Sequence, residues 1–176
     1  FSGEYAVENL KGPFGVAIDL GTTTVAVFLS TLKDRLIHKG NAVLNRQAGF
    51  GADVISRLES AFNGKEEELS RLGWLSIEEA LTGLGLNKAQ EQEIERAILV
   101  GNSAMHHLIL NLPVDSLMRL PFQPVDKKVR KEKVRLLGKE IECWFAPLLG
   151  GFVGSDALAV MVCLGLGTGK EKICAI

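Results

Sequence analysis

Apolar and polar residues alternate along this chain in blocks that map onto strands and helices. Gly15-Val16-Ala17-Ile18 and Val25-Ala26-Val27-Phe28-Leu29 are two short apolar runs around the polar turn Asp19-Leu20-Gly21-Thr22-Thr23-Thr24. Runs of this length and composition predict buried or half-buried strands, and so short a break predicts a hairpin. A turn at Lys33-Asp34-Arg35 leads to a third strand over Leu36–Leu44, followed by a loop over 45–51. Val54, Ile55, Leu58, Ala61 and Phe62 recur at helical spacing and predict an amphipathic helix closed by Asn63-Gly64. A second helix is predicted from Glu66 to about Leu84, with Leu69, Leu72, Ile77, Ala80, Leu81 and Leu84 inward.

Asn87-x-x-Gln90 has the form of a variant capping box for a short helical turn. Ala97-Ile98-Leu99-Val100 is a short, fully apolar run of the kind found in the centre of a sheet. It ends at Gly101-Asn102-Ser103, where a helix is predicted through about Asn111. Pro113 can open another helical turn through Met118, and Pro121 and Pro124 bracket an extended loop. Val134–Phe145 suggests a hairpin, with Ile141, Cys143 and Phe145 on one face. Gly150–Asp156 then leads into an apolar helix from Ala157 to about Leu164, with Ser155 or Asp156 placed to cap it. The order of elements predicts an α/β protein with a mixed sheet, an opening antiparallel hairpin and flanking helices.

The 176 residues suffice for one domain with its own core. Hydrophobic residues make up 47% and aromatics 6%, which suits aliphatic α/β packing. A net charge of −1 provides no global field to recruit nucleic acid, and no apolar run approaches the ~20 residues that cross a bilayer. Phe1-Ser2-Gly3-Glu4 offers neither an initiator Met nor a signal peptide, and Ile173–Ile176 reads as a strand beginning. The expected organisation is a linker or preceding tail over 1–12, one lobe over 13–172 and the start of another at 173–176. Cys143, Cys163 and Cys174 lack the number and spacing for a zinc or iron–sulfur site, so reduced, mostly buried thiols in a cytoplasmic protein are expected.

Chemistry concentrates in the first turn. Asp19 ends a strand, Gly21 permits close backbone approach, and Thr22, Thr23 and Thr24 add three hydroxyls. Turn amides and hydroxyls can donate to phosphate oxygens, and a carboxylate can hold hydrated magnesium through water. Taken alone, Asp-x-Gly between strands is equally an ordinary turn. No Gly-x4-Gly-Lys-Ser/Thr occurs, which excludes a phosphate-loop NTPase. Gly165-Leu166-Gly167-Thr168-Gly169 opens no helix-forming run, which argues against dinucleotide binding.

Gly15-Val16-Ala17-Ile18 followed by Asp19-Leu20-Gly21-Thr22-Thr23-Thr24 resembles the first phosphate motif of the actin-like ATPases, which have a ribonuclease H-like lobe. Four further strings follow in order. They are Gly49-Phe50-Gly51-Ala52-Asp53-Val54-Ile55-Ser56-Arg57, Val100-Gly101-Asn102-Ser103-Ala104-Met105-His106-His107-Leu108, Pro121-Phe122, and Gly151-Phe152-Val153-Gly154-Ser155-Asp156-Ala157. Together these are similar to the ATPase region of the reductive activators of corrinoid proteins, from about Phe14 onward. The resemblance implies an ATP-dependent activase that restores Co(I) in a corrinoid partner. It implies ATP with magnesium as ligand, Asp19 as the catalytic, magnesium-holding carboxylate, and an iron–sulfur cluster only in a domain outside this chain. Gly21, Thr22, Thr23, Thr24, Asn102, Gly151 and Gly154 are the nucleotide-binding candidates. With the second lobe and its adenosine pocket elsewhere, this lobe alone is expected to bind ATP poorly.

Each candidate has a plainer reading. Asn102-Ser103 is equally a helix N-cap. His106 and His107 are adjacent on a helix and point ~100° apart, so packing or surface roles outweigh a shared metal. Gly151–Asp156 could offer amides to an anion, or could be a close crossing against the hairpin. Asp53 and Arg57 form an i,i+4 pair that reads as a surface interaction. Lys127, Lys128, Arg130, Lys131, Lys133 and Arg135 form a basic run suited to an acidic corrinoid partner, or more simply a solvated loop or edge strand. It has no interleaved aromatics for single-stranded nucleic acid. Two other functions fit the same motifs: a small-molecule kinase with its acceptor site beside Gly101-Asn102, and a non-enzymatic docking lobe.

Overall fold

The computed structural model describes residues 10–165. Six strands form one sheet in the order β3-β2-β1-β4-β6-β5. β1 (Phe14–Leu20), β2 (Thr24–Thr31) and β3 (Ile37–Leu44) make an antiparallel meander. β4 (Ile94–Gly101) lies parallel to β1 and to β6 (Lys139–Phe145), and β5 (Arg130–Leu136) closes the far edge antiparallel to β6. A parallel neighbour requires a crossover, and the helices between β3 and β4 supply it.

The core follows from the period-two alternation. Phe14, Val16, Ile18 and Leu20 of β1 are buried beside Val25, Val27 and Leu29 of β2 and Ala97 and Leu99 of β4. The intervening Ala17, Asp19, Phe28 and Ile98 face the other side and are exposed. β4 is therefore central, as its composition predicts, yet it is an alternating strand and not one buried on both faces. Ile141, Cys143 and Phe145 of β6 share the buried face as expected.

Against this face pack α1 (Val54–Ser60), α2 (Glu66–Thr82), α4 (Ser103–Ile109) and the single turn α5 (Asp115–Met118). Leu69, Ile77, Ala80, Leu81 and Leu84 are buried, each of the larger side chains stabilising the fold by roughly 1.5–3 kcal/mol. Asn63-Gly64 breaks the path between α1 and α2, with Gly64 at φ +85°. The short α3 (Lys88–Gln92) carries the expected capping box between Asn87 and Gln90.

Several expectations need correction. The loop after β3 contains a 3-10 turn over Arg46–Phe50, capped by the Asn45 side chain. On α1, Ile55 and Phe62 beyond it point to solvent, whereas Arg57 is completely buried. The helix is rotated from its apolar pattern because the 46–50 turn and α4 enclose the Arg57 stem. Asp53 is the α1 N-cap, accepting from the Ser56 amide at 2.9 Å, so the expected surface pair with Arg57 does not form.

α6 begins at Ser155 and runs to Cys163, earlier than its apolar run suggests, and neither Ser155 nor Asp156 caps it. Cys163 is exposed while Cys143 is buried; Cys174, the 165–169 glycine stretch beyond Gly165 and the 173–176 strand lie outside the described residues. The basic run falls on the edge strand β5 and the loop before it. There Arg130 pairs with Glu132, Lys133 with Glu140, and Lys131 sits 3.9 Å from the Trp144 ring centre.

Candidate functional site

The β1–β2 turn is as tight as Gly21 allows. Its amide donates to the Thr24 carbonyl at 3.0 Å, and a Cβ at position 21 would come within 2.6 Å of that oxygen. Gly21 thus closes the hairpin and does not leave its amide for a ligand. Asn45 fixes the turn from below, its Nδ2 donating to the Gly21 carbonyl and its amide to the Thr23 carbonyl, both at 2.8 Å. With the carbonyls held inward, the amides of Thr22 and Thr23 bond to no protein group among the described residues. The hydroxyls of Thr23 and Thr24 stand on exposed residues without a protein partner there. The Thr22 hydroxyl accepts from Asn102 Nδ2 at 3.2 Å.

Asn102 leaves the end of β4 and does two tasks at once. Its Oδ1 accepts the Met105 amide at 3.0 Å, capping α4, while its Nδ2 reaches the turn. Ser103 is buried and its hydroxyl donates to the Gly150 carbonyl, which removes it from the candidate ligands. β1 and β4 are adjacent and parallel, so Asp19 lies opposite Val100 and Leu20 opposite Gly101. The two loops therefore meet at one end of the sheet.

Gly154 and Gly151 serve different crossings. A Cβ on Gly154 would lie 2.2 Å from the Gly101 carbonyl and 2.4 Å from Asn102 Cα, so only glycine lets α6 start against the β4 end. Gly151 lies instead against the Phe122 carbonyl, 1.7 Å from where its Cβ would be. It belongs to a crossing with the 119–122 loop, not with the hairpin, and the structure does not bring it to the turn. Gly154 thus positions the site and Gly151 supports it from a distance.

Anchored this way, the first turn of α6 puts Asp156 where its charge is felt at Asp19. Partial burial and, secondarily, the negative charge of Asp156 raise the Asp19 carboxyl above its usual range, although its side chain still reaches solvent. In sequence Asp156 reads as a possible cap and as part of the Gly151–Asp156 stretch, with nothing that links it to Asp19. The signal available was a second acid beside glycines at a predicted helix start, but its closeness to a residue 137 positions earlier is a tertiary fact.

Ser155 holds that helix start in place. Its hydroxyl lies 3.1 Å from both the Gly101 amide and carbonyl, and 2.9 Å from His106 Nε2. His106 packs edge-on against Phe145, and burial first, then His107, lower its pKa to about 4. His107 Nδ1 lies 2.7 Å from the Ser103 carbonyl, and its Nε2 accepts the Val125 amide at 3.1 Å. Both histidines are packing residues, as their adjacency implied.

With this geometry in view, the comparisons with known proteins are decisive. The RACo middle region family matches residues 14–168. The chain belongs to the RACo middle region family. A corrinoid activation enzyme, RamQ, of Eubacterium limosum is 33% identical over 93% of this chain. A solved structure described as a reductive activator for corrinoid, iron-sulfur protein superposes with a TM-score of 0.82 at 28% identity over 90% of the chain. The chain spans 28% of the first relative and 26% of the second. The mixed sheet and its flanking helices are those of an actin-like ATPase lobe, as the phosphate-motif resemblance implied. Among the described residues, no helix is long and apolar enough to cross a membrane.

Proposed function

We propose that this RACo middle region forms the first nucleotide-binding lobe of an ATP-dependent reductive activator that restores Co(I) in a corrinoid protein. The observation that carries the reading is a turn whose Thr22 and Thr23 amides and outer threonine hydroxyls have no protein partner among the described residues, at the end of the strand that carries Asp19, a carboxylate that also feels the charge of Asp156. Two neighbouring carboxylates repel, and a divalent cation relieves that repulsion. The donor set is all oxygen, which suits magnesium held through water. Bound there, magnesium would neutralise phosphate charge. The chain's own part is to present the Thr22 and Thr23 amides and the Thr23 and Thr24 hydroxyls to phosphate oxygens while Asn102 fixes the turn.

Driving Co(II) to Co(I) is uphill, so nucleotide binding must favour one state of the activator–corrinoid complex over another. Electrons would come from an iron–sulfur domain outside residues 14–168. The kinase alternative is disfavoured because its acceptor position is filled. Gly154 crosses directly over Gly101, and Asn102 is engaged with both Met105 and Thr22. The test is calorimetric titration of the intact, cluster-loaded protein with MgATP, followed by the cobalt absorbance of its corrinoid partner under reductant. MgATP binding with nucleotide-dependent appearance of Co(I) supports the reading. Failure of both overturns it.

A further inference from the structure

Among the described residues, Arg57 is the largest completely buried side chain, and no ion pair meets its charge. Nε donates to the Gly51 carbonyl at 2.8 Å, Nη1 lies 3.9 Å from the Met105 sulfur, and Nη2 has no hydrogen-bond partner among the described residues. Among the described residues, the acid whose charge is felt there is Asp53, but it is exposed and its two oxygens accept from the Ser56 amide and hydroxyl. The Gly51 loop closes tightly over the group, with Gly51 at φ +149° and no room for a Cβ beside Ser56. A guanidinium does not shed its proton inside a protein. An apolar side chain of similar length would fill this space without the desolvation penalty, so the charge itself is the informative feature.

Its position gives that charge a use. The Met105 sulfur that Nη1 touches is also 3.8 Å from Asn45 Nδ2, which donates to the Gly21 carbonyl at 2.8 Å. Asn45 and Met105 are themselves buried, so the path from guanidinium to turn runs through the protein interior, where salt screens charges much less than at the surface. We infer that Arg57 is a fixed positive charge beneath the 21–24 turn that sets the turn's preference for the more highly charged phosphate ligand. This rests on the nucleotide reading above and adds a selectivity residue to it. Arg57 touches no ligand; it acts through the interior. A unit charge ~10 Å from an anion, at an effective dielectric constant of ~20, changes affinity on the order of tenfold, and less for a ligand of lower charge.

The experiment titrates MgATP, MgADP and adenosine into the intact protein and its Arg57→Met, Arg57→Lys and Asp53→Asn variants, with melting temperatures recorded for each. Arg57→Met is expected to weaken MgATP by about tenfold, MgADP by less and adenosine not at all. Arg57→Lys keeps the charge and retains most of the wild-type ratio. Asp53→Asn preserves the helix cap while removing the opposing charge, so it raises MgATP affinity about twofold; this surface change carries the test even if Arg57→Met fails to fold. An equal loss for all three ligands, or ratios unchanged in every folded variant, overturns the inference while leaving the nucleotide reading intact. A wild-type protein that binds none of the three overturns that reading instead.

Discussion

Two short stretches meet at the same end of the sheet and treat their polar groups in opposite ways. From Asn102 to His107, almost every polar side chain is engaged internally: Asn102 with Met105 and Thr22, Ser103 with Gly150, His106 with Ser155, His107 with Ser103 and Val125. In the 21–24 turn the Gly21 and Thr23 carbonyls are held inward by Asn45, while the Thr22 and Thr23 amides and the outer hydroxyls have no protein partner among the described residues. Buried polar groups must find partners, so a set already satisfied is scaffold. A rigid set left unsatisfied at the surface, beside two acids, is where a ligand has most to offer. Both stretches carry motif residues, and only this difference separates their roles.

The sharpest way to break the contrast is to unseat the scaffold. Gly154→Ala places a methyl group against the backbone of Gly101 and Asn102, where no flexible side chain can yield. We expect a loss of about 3 kcal/mol or more in thermal unfolding, with α6 displaced. Retained stability would show that the crossing is looser than described.

Acid should weaken the scaffold through its buried histidines. His106 is held neutral to about 4, whereas in the unfolded chain it takes up a proton near 6.5. Its contribution is therefore fully present above pH 6.5 and is lost as pH falls from there to about 4, by at most roughly 3 kcal/mol. His107 is shifted downward too and acts in the same sense. Denaturant titrations across that range, with His106→Gln flattening the curve, are the check.

Asp19→Asn should do the reverse of Gly154→Ala. Removing a partly desolvated charge that Asp156 repels leaves stability unchanged or slightly higher, while MgATP affinity falls about tenfold or more. Calorimetry and thermal melts on the same samples separate the two readouts. Asn102→Ala is intermediate, because that residue caps α4 and also touches the turn; about 1 kcal/mol of stability is expected to go, together with a smaller loss of nucleotide affinity. The smallest effect belongs to Asp156→Asn. It brings the Asp19 carboxyl back toward its ordinary range, so the acid limb of MgATP binding moves to lower pH.

Much of this frame was legible along the chain because the forces that make it are local. The hairpin around Gly21, the capping box of Asn87 and Gln90, the break at Gly64 and the Ile141-Cys143-Phe145 face all depend on neighbours a few residues away. Arg57 was misplaced on the surface, since its i,i+4 spacing from Asp53 carries no information about the 46–50 turn and α4 closing over it. Gly151 reads equally as an anion site or a crossing with the hairpin, and the structure sets it instead against Phe122, because nothing near it in sequence points there.

Alternating hydrophobicity, turn glycines and capping side chains by themselves determined the strands, the helices and the phosphate-like turn, each being a short-range balance of sterics, hydrogen bonding and burial. Folding alone decided which of the motif residues remain available. Burial of Arg57, the approach of Asp156 to Asp19 and the internal engagement of Ser103 arise where distant segments are packed at fixed distances, and the low dielectric between them turns that packing into electrostatics.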